Sequence, residues 1–313
     1  MISIVVPCYD EEDALPIFYD EVSNVLKKVG EDYELIFVDD GSKDKTLEVL
    51  CSFAQKDSRV FYLSLSRNFG KEAAMYAGFC NVHGDYVAVM DADMQDPPSL
   101  LPKMLDIIRN ENYDCVATHR VTRKGEPPVR SWFAKKFYKL INRISDADIV
   151  DGARDFRLMK RKMVDAIVSL SEYDRFSKGI FGWIGFRTFW MPYENVERVA
   201  GKTKWSFRKL LKYAVDGIID FSQTPLKISA WLGALMTAGS IIWLIVMLIC
   251  SLVSKFHITT LMIMIFALTL IGGIQLICIG ILGQYIAKTY MESKERPHYI
   301  ISVSNIDNAK LFQ

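Results

Sequence analysis

Three carboxylates stand within six positions in the sequence DADMQDPP, directly after the apolar residues 87–90. Asp91 and Asp93 are two positions apart, and residues at that spacing in an extended chain point the same way. Two crowded carboxylates repel each other unless a positive group lies between them. Mg²⁺ takes oxygen ligands and commonly joins one or two carboxylates to the phosphates of a substrate. The pair therefore predicts a divalent-cation site, whereas Asp44 and Asp96 are predicted to cap helices, a position that Asp favours.

The elements that would position these carboxylates follow from an alternation of short apolar and amphipathic stretches. The predicted strands are 2–6, 34–38, 60–63, 86–90 and 115–118, and the predicted helices are 13–29, 45–55, 72–82 and 99–109. This alternation predicts an α/β domain in which helices cover both faces of a mostly parallel sheet. Ligands bind beyond the carboxyl ends of such strands, so the polar segments 7–12, 39–42 and 91–93 should converge on one edge.

The composition narrows the class of protein. The chain has 313 residues, of which 50% are apolar, and its formal net charge is +1. This balance argues against a nucleic-acid-binding protein that relies on gross charge, and no nucleic-acid partner is expected. The six cysteines are scattered without a Cys-x-x-Cys pair, which indicates reduced thiols in a cytoplasmic domain.

Two long segments near the C-terminus, 228–254 and 258–287, contain no charged residue. Each exceeds the roughly 20 residues that a helix needs to cross a bilayer, so they predict a transmembrane hairpin; a pair of buried helices in a soluble protein is the alternative. Lys and Arg flank the hairpin on both outer sides, which places the N-terminal part and the tail in the cytoplasm. The predicted division is a catalytic domain at 1–203, an amphipathic interface helix at 204–225, the hairpin at 226–288 and a tail at 289–313. For the amphipathic helix, packing on the globular domain is the alternative.

The ordered motifs resemble those of a known family. PCYDEE (7–12), VDDGSKDKT (38–46), DADMQDPP (91–98) and DFRL (155–158) are similar to motifs of the inverting family-2 glycosyltransferases. With ERVAGKTKW (197–205) and the two apolar segments, nearly the whole chain resembles the polyprenyl-phosphate glycosyltransferases, which include dolichyl-phosphate-mannose synthases and bactoprenol glucosyltransferases. The resemblance implies a nucleotide-binding domain of the glycosyltransferase A type.

The resemblance also implies a role for individual residues. Those that would bind the nucleotide are Pro7, Tyr9, Glu11, Asp39 and Asp91. Those that would bind Mg²⁺ or Mn²⁺ at the diphosphate are Asp93, Asp91 and Gln95. Those that would hold the acceptor phosphate are Arg120, Arg123 and Lys135. Arg198 and Lys204 would lie near the diphosphate, and the catalytic set would be Asp155, Asp93 and Arg198.

Asp155 matches the position often assigned as the catalytic base, but its role stays open. A hydroxyl acceptor needs a base to remove its proton. A phosphate monoester is already ionised at neutral pH, since its second pKa is about 6. Asp155 would then orient the sugar or balance the charge of Arg157.

The resemblance implies inverting transfer of glucose from a UDP-sugar to undecaprenyl phosphate, at the cytoplasmic face of the inner membrane, by a multi-pass protein. N-acetylglucosamine and galactose are alternative sugars. A processive polysaccharide synthase would need more spans and a Gln-x-x-Arg-Trp motif, and a non-catalytic sugar-nucleotide-binding scaffold would tolerate loss of the metal carboxylates. Four glycines in the second apolar segment favour close helix packing and a homo-oligomer; they are Gly272, Gly273, Gly280 and Gly283.

Overall fold

A computed structural model describes residues 1–121, 150, 152–193, 224–253, 260–307 and 309–312. Eight strands form one sheet in the order β7-β5-β6-β4-β1-β2-β3-β8. The strands are β1 Ile2–Cys8, β2 Tyr33–Asp39, β3 Val60–Leu65, β4 Tyr86–Val89, β5 Cys115–Arg120, β6 Ala153–Lys160, β7 Thr188–Tyr193 and β8 Ile301–Ser304. β1 pairs in parallel with β2 and β4, β2 with β3, and β5 with β7. The prediction of a mostly parallel α/β sheet is confirmed.

Helices cover both faces of this sheet. They are α1 Leu15–Val29, α2 Thr46–Lys56, α3 Lys71–Cys80, α4 Leu101–Asn110, α5 Arg161–Ser169, α6 Ser177–Trp183, α7 Thr224–Val253 and α8 Thr260–Glu292, with a 3₁₀ turn at Pro98–Leu100. α1, α2 and α4 pack on one face, and α3, α5 and α6 pack on the other. The five strands and four helices predicted within residues 1–120 are all present, with boundaries shifted by a few residues.

β6 is antiparallel to its neighbours, and this reversal shapes the edge of the sheet at which the predicted site residues lie. It lies between β4 and β5 and is antiparallel to both. Its first residues therefore start at the edge where β1, β2, β4 and β5 end. Val89 pairs with Arg157 in this register, so the chain beyond Val89 runs beside the residues that precede Arg157.

The C-terminal tail completes the sheet. β8 pairs in antiparallel fashion with β3, and the Tyr299 ring just before it is fully buried. Tyr299 lies 6.2 Å from the ring of Tyr76 in α3. The α8 end is held nearby, because Glu292 accepts a hydrogen bond from the Tyr173 backbone N–H at 2.8 Å. The sheet domain therefore includes residues on both sides of the long helices, although the predicted segment boundaries stay predictions.

The two long helices, α7 and α8, contact each other and expose large apolar side chains, such as Trp231, Leu268 and Leu276. In the described part of the chain, one segment is long and apolar enough to cross a membrane, Leu270–Glu292, with a mean hydropathy of 1.8. That segment is a candidate span in the region of the second predicted one. The complete two-span hairpin and the orientation of the chain stay predictions, and the 255–257 turn lies outside the described residues.

Candidate active site

The DDGS segment at the end of β2 fixes the loop between β3 and α3. The Asp40 carboxylate accepts the backbone N–H groups of Phe69 at 2.7 Å and Gly70 at 2.9 Å. Gly41 has a φ of +65°, and a Cβ there would lie 2.5 Å from the carbonyl carbon of Arg67. Only glycine allows both this left-handed conformation and this close approach. The segment therefore determines where α3 begins and where its first residue lies.

Asp40 is almost completely buried, and its carboxylate has no charged partner at hydrogen-bond distance within the described chain. Burial raises the pKa of Asp40 to about 6, although the N–H groups of Phe69 and Gly70 favour the ionised form. The loop anchor is thus a carboxylate whose ionisation costs free energy near neutral pH.

The loops after β1 and β2 hold each other through reciprocal hydrogen bonds. The Asp10 N–H donates to Ser42 Oγ at 2.9 Å, and the Glu11 N–H donates to Thr46 Oγ1 at 2.9 Å. In return, the Lys43 N–H donates to Asp10 Oδ1 at 2.9 Å. Pro7, in β1, is in register with the β2 residue that precedes Asp39, so the predicted nucleotide residues of both strands lie at one edge.

Asp44 does not occupy the cap position of α2. The N-cap residue is Lys45, and Asp44 instead accepts the N–H of Thr46, the first helical residue, at 3.0 Å. Its second oxygen accepts the Glu12 N–H at 3.3 Å. Asp44 therefore joins the two loops as well as the helix start.

A cavity of about 680 Å³ opens beside Asp39, between the ends of β2 and β3 and helix α2. Asp39 forms part of its wall, with one carboxylate oxygen accepting the Ser42 N–H at 3.0 Å and the other the Ser64 hydroxyl at 2.7 Å. Arg67 lines the same cavity. Pockets for small molecules typically measure about 300–1,000 Å³, so a nucleoside fits this volume.

Lys71, the first residue of α3, joins a carboxylate just beyond the end of β4 to a carboxylate in β6. Its Nζ lies 2.6 Å from Asp91 Oδ1 and 2.5 Å from Asp155 Oδ2. The antiparallel register of β4 and β6 explains the arrangement, because Asp91 and Asp155 both lie two residues beyond the Val89–Arg157 pair. Burial alone would raise the pKa of Asp155, but the charges of Lys71, Lys178 and Arg157 outweigh it and hold that pKa well below its usual range.

The extended conformation expected for Asp91 and Asp93, just beyond the predicted strand 86–90, is wrong. β4 ends at Val89, and the chain then turns, with Met94 in the left-handed region at φ +59°. Within this turn Asp93 Oδ1 accepts the Gln95 N–H at 3.1 Å. The two aspartates therefore approach the edge from a turn and not from one face of an extended strand.

The donor set at this turn fits a hard divalent cation. Two carboxylates and the Gln95 amide offer only oxygen atoms, and Mg²⁺ sites commonly combine one or two carboxylates with substrate phosphates. Among the described residues, no group of three or more His, Cys, Asp or Glu side chains is arranged to hold a metal. A cation at this turn would therefore complete its coordination with oxygen atoms from the substrate and from water.

A second charged cluster lies on the opposite face of the sheet. Asp96 is 1% exposed and forms an ion pair with Arg154, whose Nε lies 3.1 Å from its Oδ1. The Tyr193 hydroxyl donates to the same oxygen. The prediction that Asp96 caps a helix is wrong, because its carboxylate is directed into the domain. Gln95 Oε1 accepts from Arg120 at 3.3 Å and from Arg154 at 3.4 Å, so Arg120 lies beside the proposed metal turn.

Sequence reasoning missed Lys71 and the residues at the start of α6. Glu72 accepts hydrogen bonds from the Ser177 hydroxyl and from its N–H, which ties α3 to α6. Burial raises the pKa of Glu72 to about 6. The available signal was a lysine at each helix start, Lys71 after Gly70 and Lys178 after Ser177. A lysine in the first turn of a helix is unfavourable because its charge opposes the helix dipole, so such a residue suggests a nearby anionic partner. Four predicted residues lie outside the described chain: Arg123, Lys135, Arg198 and Lys204.

The chain is similar to several known proteins. Residues 3–168 match Glycosyl transferase family 2. The putative glycosyltransferase CsbB of Bacillus subtilis is 42% identical over 99% of this chain and 94% of its own. The bactoprenol glucosyl transferase of Shigella phage SfX is 38% identical over 96% of this chain and 98% of its own. The solved mannosyltransferase PcManGT from Pyrobaculum calidifontis, in complex with GDP-Man and Mn²⁺, covers 91% of this chain and 86% of its own, with a TM-score of 0.47 and 16% identity. The chain belongs to glycosyl transferase family 2.

Proposed function

We propose that this chain transfers a hexose, glucose as the first choice, from a UDP-sugar to polyprenyl phosphate, with inversion at the anomeric carbon. The observation that carries the proposal is the convergence at one sheet edge of the cavity beside Asp39 and of the Asp91–Lys71–Asp155 bridge. Such an edge offers a nucleoside-sized space next to carboxylates that suit a sugar diphosphate and its cation.

The class of acceptor and the sugar are supported by relatives. A protein whose name states bactoprenol glucosyl transfer is 38% identical over almost the whole chain. A polyprenyl tail stays in the bilayer, so an enzyme acting on it gains from a membrane anchor. The candidate span Leu270–Glu292 is consistent with that need. Residence in the inner membrane, with the catalytic domain on the cytoplasmic side, completes the proposal.

Each part of the edge then has a task. Pro7, Tyr9, Glu11 and Asp39 hold the nucleoside. Asp93, with Asp91 and Gln95, would hold Mg²⁺ or Mn²⁺, and such a cation stabilises the negative charge of a departing diphosphate. Asp155 stays ionised and orients the sugar, since an ionised phosphate acceptor needs no base. Arg198 and Lys204 remain proposed contacts of the diphosphate.

The test is transfer in membranes that contain the full chain. Undecaprenyl phosphate is supplied with radiolabelled UDP-glucose, UDP-N-acetylglucosamine or UDP-galactose, and the lipid fraction is counted. We expect label from UDP-glucose, released by mild acid as a sugar. Label from only one of the other donors would mean that this donor's sugar, and not glucose, is transferred, and the proposed class of reaction would stand. No label from any donor, with measured UDP binding, would overturn the transferase and favour a non-catalytic sugar-nucleotide binder.

A further inference from the structure

Lys71 is the first residue of α3, an unfavourable place for a cation because its charge opposes the helix dipole. Two anionic groups offset that cost, since its Nζ lies 2.6 Å from Asp91 Oδ1 and 2.5 Å from Asp155 Oδ2. One carboxylate would be enough to balance one ammonium group. The second carboxylate leaves the three side chains with a net negative charge.

The three side chains together present hydrogen-bonding atoms to the edge of the sheet. An ammonium group has three donors, and the two carboxylates account for two of those of Lys71. Among the described residues, no donor contacts Asp91 Oδ2 or Asp155 Oδ1. The Lys71 side chain is 38% exposed, and the side chains of Asp91 and Asp155 are 22% and 19% exposed. A ligand at this edge therefore meets one donor and two acceptors.

The start of α3 is fixed from both sides, which holds these atoms in place. Gly70, just before Lys71, donates its N–H to Asp40 at 2.9 Å. Glu72, just after it, accepts the Ser177 N–H at 3.2 Å and so ties α3 to α6. A contact made by a rigid helix start loses less conformational entropy when a ligand binds.

A neutral hydroxyl group suits this arrangement better than an anion does. Because two carboxylates stand against one ammonium group, their net negative charge repels a phosphate. A sugar hydroxyl is uncharged, and it can accept from the ammonium group of Lys71. A neighbouring hydroxyl of the same ring can donate to Asp155 Oδ1, which leaves Asp91 Oδ2 for the proposed cation.

The place of Lys71 agrees with the order of groups in a sugar nucleotide. β2 ends at Asp39, in the wall of the cavity of about 680 Å³, and β4 ends two residues before Asp91. Both strands are neighbours of β1. Neighbouring strands lie about 4.8 Å apart, so the two strand ends are separated by roughly 10 Å. A nucleoside in the cavity and a sugar at Lys71 would thus lie on opposite sides of the diphosphate.

We infer, as an extension that rests on the proposed function, that Lys71 binds a hydroxyl of the transferred sugar and that Asp155 binds a second one. Lys71 then helps to determine which sugar the site accepts, because a hydroxyl in another orientation misses its ammonium group. In this role Lys71 keeps its charge throughout the reaction and exchanges no proton with the substrate.

The test compares the binding of UDP and of UDP-sugars to the purified full-length protein, with Mn²⁺ and without an acceptor. The probes are UDP, UDP-glucose, UDP-galactose, UDP-N-acetylglucosamine and the monodeoxy forms of UDP-glucose. Lys71→Met removes the ammonium group, and Lys71→Arg keeps a charged donor. Lys103→Met, at an exposed position of α4, is the matched control.

A double variant, Lys71→Met with Asp155→Asn, separates the contact from the charge. It removes one positive and one negative group, so the net charge of the three side chains stays that of wild type. It also removes the carboxylate that Lys71→Met alone would leave without its cation, which protects folding. Comparison with Asp155→Asn alone isolates the part that belongs to Lys71.

We expect Lys71→Met to weaken UDP-glucose about tenfold or more relative to its effect on UDP, the value of one hydrogen bond to a charged group. Lys71→Arg should retain more of the affinity for UDP-glucose than Lys71→Met does. The double variant should bind UDP as wild type does and still bind UDP-glucose more weakly. One monodeoxy donor should bind wild type more weakly than UDP-glucose and lose no further affinity in Lys71→Met, since the hydroxyl that Lys71 contacts is already missing.

Several outcomes would overturn the inference. Equal losses for UDP and for all three UDP-sugars would mean that Lys71 serves only the fold or the charge of the site. Full affinity of wild type for every monodeoxy donor would exclude a hydroxyl contact without recourse to any variant. A selective loss for UDP-galactose or UDP-N-acetylglucosamine would support the contact and change the sugar. Failure of the proposed function looks different: UDP-glucose binding would still depend on Lys71, but no sugar would reach the lipid.

Discussion

The ammonium nitrogen of Lys71 lies 2.5 Å from Oδ2 of Asp155. The same nitrogen lies 2.6 Å from Asp91, so one cation joins the β6 carboxylate to one in the turn that follows β4. A carboxylate in this position is a poor proton acceptor near neutral pH, because three neighbouring cations stabilise its ionised form. The relationship therefore argues for an orienting role of Asp155.

Asp155→Asn tests that role through the pH dependence of transfer. The pKa of Asp155 is held low, so its charge should persist from neutral pH down past the ordinary carboxyl pKa of about 4. We expect the substitution to lower the rate but to leave the shape of the pH–rate profile unchanged. Any stability that the ionised form contributes is present above that ordinary pKa and is lost only as the pH falls through the lowered one. An acidic limb in wild type that disappears in the variant would instead identify Asp155 as a general base.

Gly41→Ala tests the close approach of the DDGS segment to the β3–α3 loop. Gly41 and Gly185 both have positive φ, at +65° and +71°, but only at Gly41 would a Cβ meet other atoms within 4 Å. Alanine in the left-handed region costs roughly 1–2 kcal/mol at either site. We expect Gly41→Ala to lower the free energy of unfolding by more than Gly185→Ala does, and to weaken UDP binding as well. Equal losses of stability, with UDP affinity intact in both, would contradict the account of the loop.

Asp40→Asn tests the anchor of the same loop through pH. Because burial raises the pKa of Asp40 to about 6, ionisation is less favourable in the folded than in the unfolded chain. The stability that the neutral form contributes is fully present below the unfolded pKa of about 4 and is lost as the pH rises to about 6. We expect thermal unfolding of wild type to show this decline and Asp40→Asn to show a shallower one, because Glu72, whose pKa burial also raises to about 6, keeps its own contribution. The exposed control Asp20→Asn should keep the decline; identical profiles for all three proteins would refute the shift.

Asp93→Asn tests the divalent-cation turn. The amide can still accept the Gln95 N–H through its oxygen, so the local hydrogen bond is kept while the charge is removed. Loss of charge stabilisation at a departing diphosphate is worth several kcal/mol, so we expect turnover to fall at least about a hundredfold. Binding of Mn²⁺ in the presence of UDP should fall in parallel, whereas Asp106→Asn, on the exposed side of α4, should behave as wild type. Near-normal turnover of wild type in excess chelator would remove the metal from the proposal.

Local patterns predicted the first five strands and the edge at which their polar ends meet. β6 escaped prediction because its sequence, ARDFRLMK, lacks the strict alternation of apolar and polar residues that indicates a half-buried strand, and its pairing between β4 and β5 depends on contacts far apart in sequence. Its insertion is what brings Asp155 to Asp91. Lys71 escaped for the same reason, because a lysine at a helix start is usually exposed and only the fold shows what it joins.

β8 was unpredictable for another physical reason. It has only four residues, and it pairs with a strand more than 230 positions earlier, beyond the long apolar helices. A tail of mixed composition after two long apolar helices gives no local sign of such pairing. Its burial of Tyr299 nevertheless makes the tail part of the catalytic domain.

Removal of the tail should therefore damage the domain that precedes the helices. A fragment of residues 1–225 would contain the predicted nucleotide residues, and sequence reasoning alone expects it to bind UDP and metal. The fragment would lack β8, the Tyr299 ring against Tyr76, and the Asn81 side-chain contact to the Lys310 N–H at 2.9 Å. We expect the fragment to unfold at a lower temperature than the full chain and to bind UDP with lower affinity.

The point variants Tyr299→Ala and Tyr299→Phe separate burial of the ring from the length of the chain. Loss of a buried aromatic ring costs roughly 3–5 kcal/mol, whereas the phenylalanine variant keeps the ring and should retain most of the stability. Both are measured in the full-length protein by thermal unfolding, with UDP titrated as the probe of the site. A fully stable Tyr299→Ala protein, or a 1–225 fragment as stable as the full chain, would show that the tail is dispensable to the sheet. If both are destabilised while excess UDP restores folding, the tail stabilises the sheet domain without being required to form the nucleotide site.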